Sequence, residues 1–202
     1  MKKILVYTIP LFFIAAISSC DNAGGDAKKE ADSTNNAKID SARSADTIAS
    51  KNSHMADLKT DADFATAAAD GGMMEVALGK LAVDKGVSPS IKKLGAMMVK
   101  DHAKANDELK AAAAAKNITL PALMSEKCQK KLSDLSEKKG VDFDKAYADL
   151  MVSDHKEDID EFKKEADKGM DAQLSTWAKG KLPILEHHLM MAEDAKKATD
   201  NK

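Results

Sequence analysis

Hydrophobic positions recur with a 3.6-residue period over four stretches of the chain, 63–85, 88–116, 142–168 and 171–197. That spacing predicts four amphipathic helices. Asp63, Ser88, Asp142 and Asp171 stand where the helix N-caps belong, and Pro89 follows Ser88 at the first helical position, where a missing N–H costs nothing. Projected at about 100° per residue, the first stretch puts Phe64, Met74, Leu78 and Ala82 on one face and the second puts Ile91, Leu94, Met98 and Leu109 there. The third aligns Phe143, Tyr147, Met151 and Phe162, and the fourth Leu174, Trp177, Leu185 and Ala192. Between the second and third helices, residues 117–141 contain Leu120-Pro121 and an amphipathic run over 125–138 that reads as a short helix. A connection of that length permits a crossover. The expectation is an all-α chain: a four-helix bundle with a long connection between its second and third helices.

Each apolar face is broken by a side chain that can hold a metal. Glu75 falls in the middle of the first stripe, and His102 at the centre of the second with Asp101 at its edge. Asp154 and Asp158 fall inside the third arc with His155 to one side. His188 lies in the fourth, while His187 points outward. A buried carboxylate costs several kcal/mol unless it is paired, protonated or bound to a cation, so these groups need one another or an ion. Two readings follow. One is an internal hydrogen-bond network that sets helix register in a non-catalytic structural, interaction or stress-related bundle. The other is a divalent transition metal (Fe, Mn, Zn or Cu) held by Glu75, His102, Asp154 and His188, with Asp101, His155 and Asp158 as neighbours. Nothing in the sequence marks a nucleophile or a nucleotide loop, and no catalytic residue is assigned.

At the N-terminus, Lys2 and Lys3 precede an apolar run over 4–17, shorter than the roughly 20 residues a spanning helix needs. Residues 1–19 therefore read as a signal peptide. The run closes with Ile17-Ser18-Ser19-Cys20, which resembles the lipobox of bacterial lipoproteins. That resemblance implies lipidation of Cys20 and a location in the cell envelope, anchored through the lipid to the outer membrane or to the periplasmic face of the inner membrane. Residues 20–56 are rich in Ala, Asp, Lys, Ser and Asn without apolar periodicity, so a disordered tether is expected there. The folded domain is then 57–202.

The formal charge of −2 becomes more negative once Lys2 and Lys3 leave with the signal peptide, and Arg43 is the one arginine beside many lysines. Without guanidinium forks for phosphates or base edges, nucleic acid is excluded as a partner. No protein partner is indicated. Only 4% of residues are aromatic, so the core must rely on close helix approach at alanines. With Cys20 acylated, Cys128 is the one remaining thiol; it reads as a plain buried residue.

Longer strings carry a family resemblance. Gly71-Gly72-Met73-Met74-Glu75-Val76, Met98-Val99-Lys100-Asp101-His102, Phe143-Asp144-Lys145-Ala146-Tyr147, Met151-Val152-Ser153-Asp154-His155 and Leu182-Pro183-Ile184-Leu185-Glu186-His187-His188-Leu189 resemble the bacterial envelope proteins known as domain of unknown function 4142 (DUF4142). The resemblance runs over about 63–195. It implies a ferritin-like four-helix bundle and an envelope location, often with a lipoprotein signal, and no established activity. Met-Val-x-Asp-His occurs twice, which looks like the trace of a duplicated helix pair. The chain departs from the Glu-x-x-His pattern of di-iron bundles, because Val99 and Leu185 stand three residues before His102 and His188.

Overall fold

Every regular element among the described residues, 25–44 and 52–200 of a computed structural model, is a helix. The expected signal peptide and Cys20, within 1–24, lie outside them, as do 45–51 and 201–202. The elements are α1 (Ala27–Ser44), α2 (Asn52–Lys85), α3 (Pro89–Ala115), α4 (Glu126–Ser136), α5 (Gly140–Lys168) and α6 (Ala172–Asp200).

The termini follow local chemistry, with two departures from expectation. Pro89 opens α3 as its spacing predicts, and Asp171 caps α6 by accepting from the amides of Gln173 and Leu174, both at 3.0 Å. Asp63, by contrast, lies inside α2, where it pairs with Lys59 at 2.9 Å, because the helix continues back to Asn52. Asp142 sits in the first turn of α5, whose N-cap is Lys139. Gly140, at φ 59°, makes that entry with a backbone conformation open to glycine. The connection after α3 contains α4, as expected. Ser125 Oγ accepts from the Cys128 amide at 3.2 Å, while Asp70 on α2 accepts from the Ser125 amide at 2.7 Å and from the Cys128 thiol at 3.2 Å. Burial pushes that thiol up to about 11, which makes it a hydrogen-bond donor and not a nucleophile.

Two helix pairs, α2 with α3 and α5 with α6, make the most extensive contacts; α3 also meets α6, α2 meets α5, and α4 lies across α2 and α5. The α2 and α3 backbones come close at Gly79 and Gly95. A Cβ on Gly79 would stand 2.7 Å from the Gly95 carbonyl, and one on Gly95 2.6 Å from the Gly79 carbonyl. The apolar core is divided along the bundle. Met74, Leu78, Leu94, Met98, Phe143 and Met151 pack together on one side of the waist. On the other side are Phe64, Phe162 and Leu185, with Leu109 and Leu174 beside them; Phe64 and Phe162 meet edge to face at 5.0 Å.

Residues 27–44 correct the expectation of an unfolded tether. They form α1, which packs on α2 using polar side chains in place of an apolar stripe. Ala31 and Asn35 are buried one turn apart. Asn35 both donates to the Thr119 carbonyl at 2.9 Å and accepts from the Thr119 amide at 2.7 Å. Lys38 reaches the Asn117 carbonyl at 2.8 Å, and Thr66 Oγ1 donates to Asp32 at 2.5 Å. Such bonds return the hydration that these groups lose on docking, so the helix is held without large hydrophobes.

Candidate metal centre

Between the two apolar halves lies a polar layer to which four helices contribute. On α3, His102 follows Met98 and precedes Leu109; on α5, His155 follows Met151; on α6, His188 follows Leu185; on α2, Glu75 precedes Leu78. Helical spacing carries each of these side chains inward at the level where its apolar stripe is interrupted. Glu75 is 1% exposed, His102 6%, and His155 and His188 0%.

The three imidazoles converge. Their ring centroids are 5.1 to 5.5 Å apart, and one ring nitrogen from each lies within 4.8 Å of the other two. Glu75, His155 and the partly buried Asp158 form a second group with the same closeness. His155 Nδ1 donates to the Met151 carbonyl at 3.0 Å, which leaves Nε2 as the bare nitrogen. His188 Nε2 faces Asp101 Oδ2 at 3.1 Å; a carboxylate only accepts, so the His188 proton is on Nε2 and Nδ1 is bare. His102 Nδ1 pairs with Glu75 Oε2 at 2.7 Å. Its Nε2 is buried without a hydrogen-bond partner; Glu75 Oε1 also makes no hydrogen bond but lies 3.5 Å from His155 Nε2.

Desolvation sets the charge state. Burial lowers His155 to about 3, reinforced by the neighbouring His102 and His188, and lowers His188 to about 4 against the pull of Asp101. Burial lowers His102 as well. Glu75 is pushed well above the usual carboxyl range by burial and by the charge of Asp154; Asp158 is raised by burial and by Glu75. The imidazoles are therefore neutral, the form that binds metals, and the two carboxyls favour a proton until a cation takes its place.

The sequence-derived set is partly rearranged. Glu75, His102 and His188 meet at the centre as expected, and Asp101 orients His188. His155, expected as a neighbour, stands among the converging nitrogens, while Asp154 pairs with Lys131 of α4 at 2.7 Å and keeps one oxygen buried and unpartnered. Adjacent residues on a helix diverge by about 100°, and α4 takes the face that Asp154 presents. Two further residues were not singled out from the sequence. Lys131 has no partner nearby in sequence, and Tyr147 lies on an apolar face, yet the Tyr147 hydroxyl is buried without a hydrogen-bond partner and is raised by burial and by Glu75.

A family model described as Domain of unknown function (DUF4142) matches residues 44–195, a span that includes every residue of this centre and leaves nearly all of α1 outside. Neither a curated protein nor a solved structure matches the chain.

Proposed function

The chain belongs to the family described as Domain of unknown function (DUF4142), and because that description carries no activity we infer its role from the site: a lipid-anchored envelope protein whose ferritin-like four-helix bundle binds a divalent transition metal. The observation that carries the reading is the set of inward nitrogens. His155 and His188 each commit their proton outward, to the Met151 carbonyl and to Asp101, and His102 Nε2 is buried without a partner. Imidazoles oriented this way by a second group are the usual supports of a bound metal. The residues fit an ion of the Fe, Mn, Zn or Cu class in either of two overlapping groups that share His155, the nitrogen donors His102, His155 and His188 or the mixed set Glu75, His155 and Asp158. Such an ion would supply Lewis acidity and, for Fe, Mn or Cu, one-electron chemistry.

The protein's own part is to hold the imidazoles neutral and oriented and to exclude bulk water, with apolar packing above and below the layer. A metal-free structural or interaction role is the second reading, favoured by the close His102–Glu75 and His188–Asp101 pairs at 2.7 and 3.1 Å. Anchoring rests on the lipobox-like Ile17-Ser18-Ser19-Cys20. Because α1 starts at Ala27, a lipid on Cys20 would hold the start of that helix within about 25 Å of the membrane surface, the greatest reach of seven residues.

Both parts are tested on the full chain. With Cys20→Ser to block acylation, the purified protein should hold about one metal ion per chain, and a chelator should lower its melting temperature. Sub-stoichiometric metal with an unchanged melt overturns the metal reading in favour of the internal network. Incorporation of radiolabelled palmitate, lost in Cys20→Ser, tests the anchor; equal labelling of both chains refutes it.

A further inference from the structure

A cavity of about 40 Å³ lies against the polar layer. It reaches His102, His188, Glu75 and Asp158, while His155 lies behind them outside its lining. Its volume accommodates a few waters, at roughly 10–15 Å³ each on this measure, and nothing as large as an amino acid. The apolar part of the lining is built by Phe162, Leu185 and Trp177 with Ala68 and Ala105. Small side chains keep the space open: leucine at either alanine would extend into it. Gly72 serves the same purpose, since a Cβ there would collide with Asn106 Oδ1 and displace the amide that lines the cavity.

The rim of this cavity is held by charge. Lys181 pairs with Glu108 and lies 5.8 Å from the centre of the Trp177 ring, and Trp177 Nε1 donates to the same Glu108 carboxylate at 3.2 Å. Two of the buried polar atoms without a hydrogen-bond partner among the described residues, His102 Nε2 and Glu75 Oε1, belong to residues of the cavity wall. A well-packed core does not leave space beside unpartnered buried donors and acceptors without a use for it.

We propose that this cavity is an exchangeable ligand position of the metal centre, sized for a ligand of two or three heavy atoms that binds beside His102 and His188 under the Lys181–Glu108–Trp177 rim. The proposal rests on the metal reading above and adds to it an open coordination position and a size limit on what enters. A larger ligand is excluded by volume.

The test uses the full chain with Cys20→Ser, loaded with Co(II) and titrated with azide, a three-atom probe. Azide should shift the visible absorption bands of the bound cobalt and saturate. In Ala105→Leu, which fills the cavity, cobalt should bind in the same ratio while the azide response is lost. Ala68→Val makes a smaller filling change and serves if the leucine variant does not fold. If the chain binds no cobalt, the metal reading fails and this inference with it. If cobalt binds and azide produces no shift, the exchangeable position is refuted while the metal reading stands. An azide response unchanged in both filled variants also refutes it, because the ligand then enters elsewhere.

Discussion

His155 Nε2 and His188 Nδ1 stand 3.3 Å apart, and neither nitrogen carries a proton for the other, because Met151 and Asp101 have taken the N–H of each ring. Two facing lone pairs in a buried layer repel unless something positive lies between them. A tautomer change would relieve the contact only by giving up a bond to Met151 or to Asp101.

Asp101→Asn tests how firmly that tautomer is set. An amide can donate to His188 Nε2 and move the imidazole proton to Nδ1, where it blocks the inward position. Metal affinity should fall about 10- to 100-fold, measured by competition against a chromogenic chelator, with little change in the metal-free melt. An affinity equal to that of the parent chain would show that Asp101 does not orient His188.

Lys131→Met removes the partner of Asp154 and leaves a carboxylate buried beside Glu75. Because Lys131 is partly exposed, the loss should be about 2–3 kcal/mol, below the full cost of breaking a sealed pair. Adding Asp154→Asn should recover part of it, since the uncompensated charge is gone. Urea unfolding of the single and double variants decides this: a double variant less stable than Lys131→Met contradicts the pairing. Metal content should be unchanged in both, as Asp154 points toward α4.

Asn35→Ala should cost about 1–3 kcal/mol by leaving the Thr119 amide and carbonyl without their partner. The effect should appear in the urea midpoint of the full chain. If the midpoint does not move, α1 contributes nothing to the fold, and its docking on α2 is not maintained in solution.

Glu165, near the end of α5, is raised by burial, and then by Asp61 and Asp171, to about 7. Between its ordinary value of about 4.5 and about 7 the folded chain keeps a proton on this group that the unfolded chain releases. Stability therefore declines as pH rises through that window. Glu165→Gln should remove this decline and raise the melting temperature above pH 7. Melting curves from pH 4 to pH 8 check the sign; an identical pH profile in the variant would show that Glu165 is ionised without penalty.

The helices themselves were legible because a 3.6-residue period needs only local sequence. Phe64, Met98, Phe143 and Leu185 read inward on their wheels and are buried. Glu75, His102 and His188 could be recognised for the same reason, as polar residues on faces that are otherwise apolar. Distance from the helix start does not give their common height, since α2 begins at Asn52, much further before Glu75 than α3 and α6 begin before His102 and His188.

What periodicity could not decide was pairing between segments far apart in the chain. Asp154 and His155 are neighbours on one helix, and either could have turned to the centre. The choice came from α4, which brings Lys131 to Asp154 and leaves the inward place to His155. Residues 27–44 carry no apolar stripe, so nothing local marked them as docked; the bond partners of Asn35 lie 84 residues away. The chain alone settled which face of each helix turns inward, since that depends on spacing along one segment. Tertiary structure decided which polar groups meet there, since that depends on which helix lies beside which and at what height.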